Sequence, residues 1–162
     1  MEIEIQKISE TAKKKEAENK KFFTSLKKKH PKNLDNTVQQ LHENIFEKIN
    51  CLDCANCCKS ISPILRDKDI ERISKHLKIR PSDFTEKYLM IDHENDYVFR
   101  NQPCPFLLPD NYCIIYEVRP KACAEYPHTS QPNFINRLNL TIKNSFYCPA
   151  ISEIIEELKK FY

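Results

Sequence analysis

The sequence predicts a mostly α-helical fold with minor, irregular β structure, and three observations lead there. Apolar residues recur at three- and four-residue steps over long stretches, the spacing of one helix face. No glycine occurs among the 162 residues, so loops and turns rely on ten prolines and on asparagine. Eight cysteines, four of them packed into eight consecutive positions, mark a segment whose conformation answers to chemistry rather than to periodicity.

Residues 2–29 read as one helix, with Ile5, Ile8, Ala12, Phe22, Phe23 and Leu26 as a broken apolar stripe. His30-Pro31 stops it, because the residue before proline is pushed out of the helical region. A second helix, capped by Asp35 or Asn36, carries Val38, Leu41, Ile45, Phe46 and Ile49 and delivers the chain to Cys51. A third covers 66–78, with Ile70, Ile73 and Leu77 on one face. A fourth runs from Pro81 or Ser82 through Met90, turning Phe84, Tyr88 and Leu89 inward. Tyr97, Val98 and Phe99 suggest a short strand, as do Ile114 and Ile115. Residues 134–143 fit neither period, and Pro149 opens a final helix with Ile151, Ile154, Ile155 and Leu158 on its apolar face. Residues 1–45 therefore form a helical, lysine-rich extension, and 46–162 a single small cysteine-cluster domain.

Composition excludes several function classes. Without glycine there is no G-x-G-x-x-G or Walker loop for nucleotide phosphates and no G-x-S-x-G nucleophile elbow. No run reaches the ~18 apolar residues of a membrane span, and the first thirty residues lack the apolar core of a signal peptide. A cytosolic location is the expectation, and there thiols stay reduced, so clustered cysteines point to metal rather than to disulfides. The formal net charge of +3 is uneven: residues 1–30 hold nine lysines against five glutamates and no arginine. Lys13–Lys15 and Lys27–Lys29 are read as a solvated helix face in preference to a nucleic-acid contact.

Cys51-x-x-Cys54-x-x-Cys57-Cys58 is the strongest local signal. A C-x-x-C step turns the chain back so that two thiolates reach one ion or cluster. Zinc and a [4Fe–4S] cluster both take four thiolate ligands. Adjacent Cys57 and Cys58 are expected to point apart, so that one of them reaches a second site. Cys104, Cys113, Cys123 and Cys148 supply the distant ligands, and all eight cysteines are the candidate metal residues. Two four-coordinate sites, one four-cysteine cluster with a separate metal centre, or one site with further thiols around it all suit this count. Prolines crowd the later cysteines: Pro103 and Pro105 flank Cys104, Pro120 and Pro127 bracket Cys123, and Pro149 follows Cys148. They hold ligand loops rigid in a chain without glycine. Arg119 either neutralises thiolate charge or pairs with Glu117 or Glu125. His128 is a lesser ligand candidate; His30, His42, His76 and His93 lack ligand spacing and are read as structural or exposed.

Cys51-Leu-Asp-Cys54-Ala-Asn-Cys57-Cys58, then Pro103-Cys104-Pro105-Phe106-Leu107, then Cys113-Ile-Ile-Tyr116-Glu-Val-Arg119-Pro120-Lys-Ala-Cys123-Ala-Glu-Tyr126-Pro127, resembles the CxxCxxCC cysteine-cluster proteins, a family of zinc- or iron-chelating domains related to the flagellin lysine N-methylase. The resemblance covers about residues 50–150 and implies a metal-binding domain. The family pattern often places glycine where this chain has Asn56, and asparagine is expected to keep the turn by adopting left-handed backbone. Three readings follow. The first is a metal-chelating protein holding zinc or an iron–sulfur cluster, with metal and a protein as partners. The second, by analogy with the methylase, is a protein lysine methyltransferase using S-adenosylmethionine, which saturable binding of that cofactor would reveal. The third is nucleic-acid binding through the basic arm, which steep salt dependence would reveal.

Overall fold

The computed structural model describes residues 2–162, and the side chains from residue 6 onward. It is mostly helical with one small three-stranded antiparallel sheet. Residues up to Asn50 together with Pro127–Tyr162 make one compact unit, and Cys51–Tyr126 makes the other. Among the described residues no helix is long and apolar enough to cross a membrane.

In the helical unit, α1 (Glu2–Lys29) is the long lysine-rich helix, and it buries Ala12, Phe23 and Leu26. Ile5 lies outside the described side chains. The exposed side of α1 is laced to the C-terminal helix by ion pairs, Lys15 to Glu156 at 2.6 Å and Lys159 to Glu18. The arm is thus built into a core, with its lysines on the solvated face.

The second helix, α2 (Leu34–Phe46), is preceded by Asn33, whose side chain makes no capping bond. Asp35 lies in its first turn instead. Its two carboxylate oxygens accept the N–H groups of Asn133 at 2.7 Å and Phe134 at 2.9 Å. The expectation of Asp35 or Asn36 as the cap is thereby corrected: the carboxylate is spent on a loop nearly a hundred residues away.

Residues 134–143, which fit neither period, form a 3-10 turn (Phe134–Arg137) running into α8 (Leu138–Ser145). The last helix, α9 (Pro149–Leu158), buries Ala150, Ile151, Ile154, Ile155 and Leu158. Phe23, Leu26, Leu34, Val38, Phe134, Ile142, Ile151 and Ile155 form the main core of this unit, with Phe23 and Phe134 edge to face at 6.3 Å.

In the cysteine unit, α3 (Cys51–Cys54) and α4 (Asn56–Ser60) are single turns. β1 (Ile64–Leu65), α5 (Asp67–Leu77), α6 (Pro81–Tyr88), β2 (Leu89–Ile91) and β3 (Tyr97–Phe99) follow. The central strand β3 pairs antiparallel with β1 and β2, so that Val98 faces both Ile64 and Met90. Helix α6 stops at Tyr88, and Met90, expected at its end, lies in β2. Ile114 and Ile115 form no strand; the chain there closes a small loop and only Ile115 is buried. Leu65, Ile70, Ile73, Phe84, Leu89, Phe99, Phe106 and Ile115 make the core, and Phe106 lies among the rings of Phe84, Tyr88 and Phe99. The last helix of the unit, α7 (Lys121–Glu125), carries Cys123.

Candidate metal centre

The dense cysteine segment folds as two helical turns joined by a reversal. The Ala55 N–H closes the first turn on the Cys51 carbonyl at 2.7 Å, and Ala55 itself is left-handed, with φ 48° and ψ 22°. The expectation that Asn56 takes the left-handed position is therefore corrected by one residue. Asn56 starts α4, is buried, and accepts the Ser60 hydroxyl at 2.9 Å through its side-chain oxygen. An alanine in this region is strained by its Cβ, by roughly 1 kcal/mol. The turn is held nonetheless: Lys59 Nζ donates to the Cys54 carbonyl at 3.1 Å and Asn111 Nδ2 to the Leu52 carbonyl at 2.6 Å.

Three of the distant cysteines, Cys104, Cys113 and Cys123, lie in the same unit. The Cys104 N–H donates to the Cys58 carbonyl at 2.9 Å, binding the second cysteine segment directly to the first. Leu107 and Cys113 form an antiparallel bridge, and Ile114 N–H donates to the Phe106 carbonyl at 2.9 Å. This small hairpin brings Cys113 back beside Cys104. A 3-10 turn (Tyr116–Val118) then leads to α7.

The approach to α7 is fixed by a buried carboxylate that sequence reasoning missed. Asp69 of α5 accepts the Lys121 N–H at 3.0 Å, its own helix's Arg66 N–H at 2.9 Å and the Arg72 guanidinium at 2.6 Å. Arg72 in turn donates to the Arg119 carbonyl at 2.8 Å and the Val118 carbonyl at 3.3 Å. Burial acts to raise the Asp69 pKa, but these donors together outweigh it and hold the carboxyl below its ordinary value. The acid's position three residues after Arg66, in a helix first turn, was a readable signal for a capping role. The long-range half of the latch was not.

Cys58 sits where the two cysteine segments join, its carbonyl taking the Cys104 N–H. The charges of Cys58, Cys104, Cys113 and Cys123 act on one another in every pairing. Cys51 in turn feels Cys54 and Cys58. Cys57 Sγ lies 4.0 Å from Cys58 Sγ. The Cys57 hydrogen bond, against burial and with help from the Lys59 charge, brings Cys58 down to about 7. Burial first, then neighbouring thiols, pushes Cys104 up to about 11 and Cys123 up to about 12. Cys51 and Cys113 are raised for the same leading reason, although Cys51 is exposed as a residue.

Arg119 stacks on Tyr116 with its guanidinium 3.8 Å from the ring centroid, and its charge favours the thiolates of Cys113 and Cys123. Glu125 pairs with Lys121 at 3.6 Å instead. Among the described residues no three Cys, His, Asp or Glu side chains are yet drawn together as a ligand set. Soft thiol donors in this number nonetheless fit zinc or iron.

The structure thus gathers seven of the eight candidates in the cysteine unit. Cys148 belongs to the helical unit, where it precedes α9 and packs against that unit's core. His128, the lesser candidate, is also in the helical unit, as is His42, which lies 2.7 Å from the Thr129 hydroxyl and stacks on Phe46.

A family model, CxxCxxCC, described as a putative zinc- or iron-chelating domain, matches residues 50–149. No curated protein and no solved structure gives a significant match.

Proposed function

The chain belongs to the CxxCxxCC family of zinc- or iron-chelating domains, and from that premise we propose that it is a metal-chelating protein centred on Cys58, Cys104, Cys113 and Cys123. What supports this reading is that the Cys104 N–H bonds to the Cys58 carbonyl at 2.9 Å, joining the two cysteine segments, while the Leu107–Cys113 bridge and α7 carry the other two thiols in the same unit. Four thiolates satisfy a tetrahedral zinc or a [4Fe–4S] cluster, and either would supply a fixed cross-link between the loops that bear them. Cys51, Cys54 and Cys57 extend the thiol set on the side of α3. Arg119 and Lys59 compensate its negative charge, one beside Cys113 and Cys123 and the other beside Cys58. Asp69 and Arg72 position Cys123 by fixing the backbone of residues 118–121. Cys148 is assigned to packing as a small hydrophobe.

The test is purification of the full chain without oxygen, with the visible spectrum and the metal and sulfide content per chain measured together. Tightly held zinc in a colourless protein, or iron with sulfide in a brown one, supports the reading and identifies the metal. A chain that retains no metal, and whose folding is indifferent to a strong chelator, would overturn it.

A further inference from the structure

Residues 1–30 carry nine lysines and five glutamates, and along the chain the two signs are interleaved. The helix sorts them. At about 100° per residue, the buried side of α1 is centred on Ala12, Asn19, Phe23 and Leu26. Opposite it, Lys7, Lys14, Lys21 and Lys28 form one row at seven-residue steps, and Lys13, Lys20 and Lys27 form a second row beside it. All seven are exposed. Between the rows lie Glu10, Ala17 and Thr24, exposed as well.

The other described charges of α1 are drawn to its flanks and engaged there. Lys15 meets Glu156 at 2.6 Å, Glu18 meets Lys159, and Glu16 holds Lys20 at 2.6 Å. Lys29 donates to the Tyr162 carbonyl at 2.7 Å. Among the described residues Lys7, Lys13, Lys14, Lys21, Lys27 and Lys28 have no ion-pair partner. Between Lys7 and Lys28, Glu10 is the one acid on their face. The outcome is a basic strip roughly 30 Å long, at ~1.5 Å of rise per residue.

What else the strip carries decides what it fits. Protein interfaces have an apolar centre and are depleted in lysine, whereas Ala17 is the sole apolar residue between the rows. A helix that settles into a lipid surface needs large apolar residues on the side that meets it. In α1 those residues, Phe23 and Leu26, are buried in the core. Contacts to a phosphate backbone need only flexible cations. The small side chains of Ala17 and Thr24 let the two rows approach phosphates on both sides of a groove. From Lys7 to Lys28 the strip has no arginine, asparagine or glutamine with which to read base edges.

We propose that the exposed face of α1 binds the phosphate backbone of a nucleic-acid duplex, independently of base sequence. This goes beyond the metal-chelating reading and does not rest on it.

The experiment titrates the full chain, with the metal it retains on purification, onto a fluorescent DNA duplex of random sequence and follows anisotropy. Saturable binding is expected, with affinity falling roughly 100-fold between about 50 and 200 mM salt if four lysines meet phosphates. Lys14→Gln, Lys21→Gln and Lys28→Gln combined should weaken binding at least about 10-fold and lower the salt slope by about one per lysine. Lys68→Gln, Lys75→Gln and Lys87→Gln combined make the same change in net charge on α5 and α6 and should move affinity less than about twofold. Equal weakening by the two triple variants assigns the effect to net charge and overturns the strip. An affinity indifferent to salt, or no saturable binding at about 50 mM salt, overturns it as well. So does binding to phosphatidylserine vesicles with none to the duplex.

Discussion

The two units of this chain are held by different means. In the helical unit Val38, Phe134, Ile151, Ile154, Ile155 and Leu158 are fully removed from solvent, in two apolar clusters that share Leu41 and Cys148 at their edges. Much of its secondary structure follows from residue spacing, and its polar bonds include the Lys15–Glu156 ion pair between α1 and α9 and the Asp35 contacts to residues 133 and 134. The cysteine unit has a smaller core gathered around Phe84 and Phe106, and its cysteine-bearing half consists of short turns and loops. Those loops are pinned by single hydrogen bonds, by prolines and by one buried carboxylate. Apolar burial is non-directional and tolerates sequence change, whereas pinned loops depend on particular atoms. The first unit should therefore respond to volume changes, and the second to metal, pH and individual donors.

Metal removal should break this comparison open most widely. Structural thiolate sites contribute on the order of 10 kcal/mol in small domains. Chelation of the loaded protein should lower amide protection across Cys51–Tyr126 by at least about 100-fold, while α1, α2, α8 and α9 keep theirs. Hydrogen exchange followed by mass spectrometry reads both units at once. Equal loss in the two units would erase the distinction.

Phe134→Ala is the matching perturbation of the helical unit. It empties a fully buried site packed edge to face against Phe23 and should cost about 3–5 kcal/mol. Denaturant midpoints should show the same loss with and without bound metal.

Asp69→Ala should cost about 3 kcal/mol, because it leaves the Lys121 N–H and the Arg72 guanidinium without their shared acceptor. The pH dependence has a definite sign. Since the folded carboxyl titrates below its unfolded value, its contribution is present above the ordinary carboxylate range and lost as pH falls through the depressed folded value. Acid unfolding curves of the wild type and of Asp69→Ala should converge toward low pH; parallel curves would deny Asp69 this role.

The smallest effect sharpens the site itself. Ala55→Gly relieves the left-handed backbone between α3 and α4 and should stabilise the protein by about 0.5–1 kcal/mol. Asn56→Gly, by contrast, removes the acceptor for the Ser60 hydroxyl within α4 and should destabilise. Thermal midpoints moving in opposite directions would confirm where the reversal lies.

Much of the fold was legible because helices follow local spacing. The long first helix, the helix over residues 67–77 and the final helix all lie within a residue or two of their expected ends. Legibility failed where the deciding interaction was distant. Asp35 looked like a cap and is an acceptor for residues 133 and 134. Ile114-Ile115 looked like a strand, but β-branched residues mark one only where a partner strand exists. Of the candidate site, the cysteines were readable as candidate ligands, whereas the backbone bond that joins Cys104 to Cys58 was not.

That the chain is mostly helical, lacks any glycine-built phosphate loop and carries its candidate ligands as thiols was already set by the order of its residues. These follow from composition and short-range periodicity, which require no knowledge of distant neighbours. Folding alone settled that the lysine-rich helix packs into a core with the C-terminal helices, that the reversal falls on Ala55, and that the Cys104 N–H meets the Cys58 carbonyl. Each depends on which remote backbone groups and side chains come within bonding or electrostatic reach, and that is a property of the folded chain.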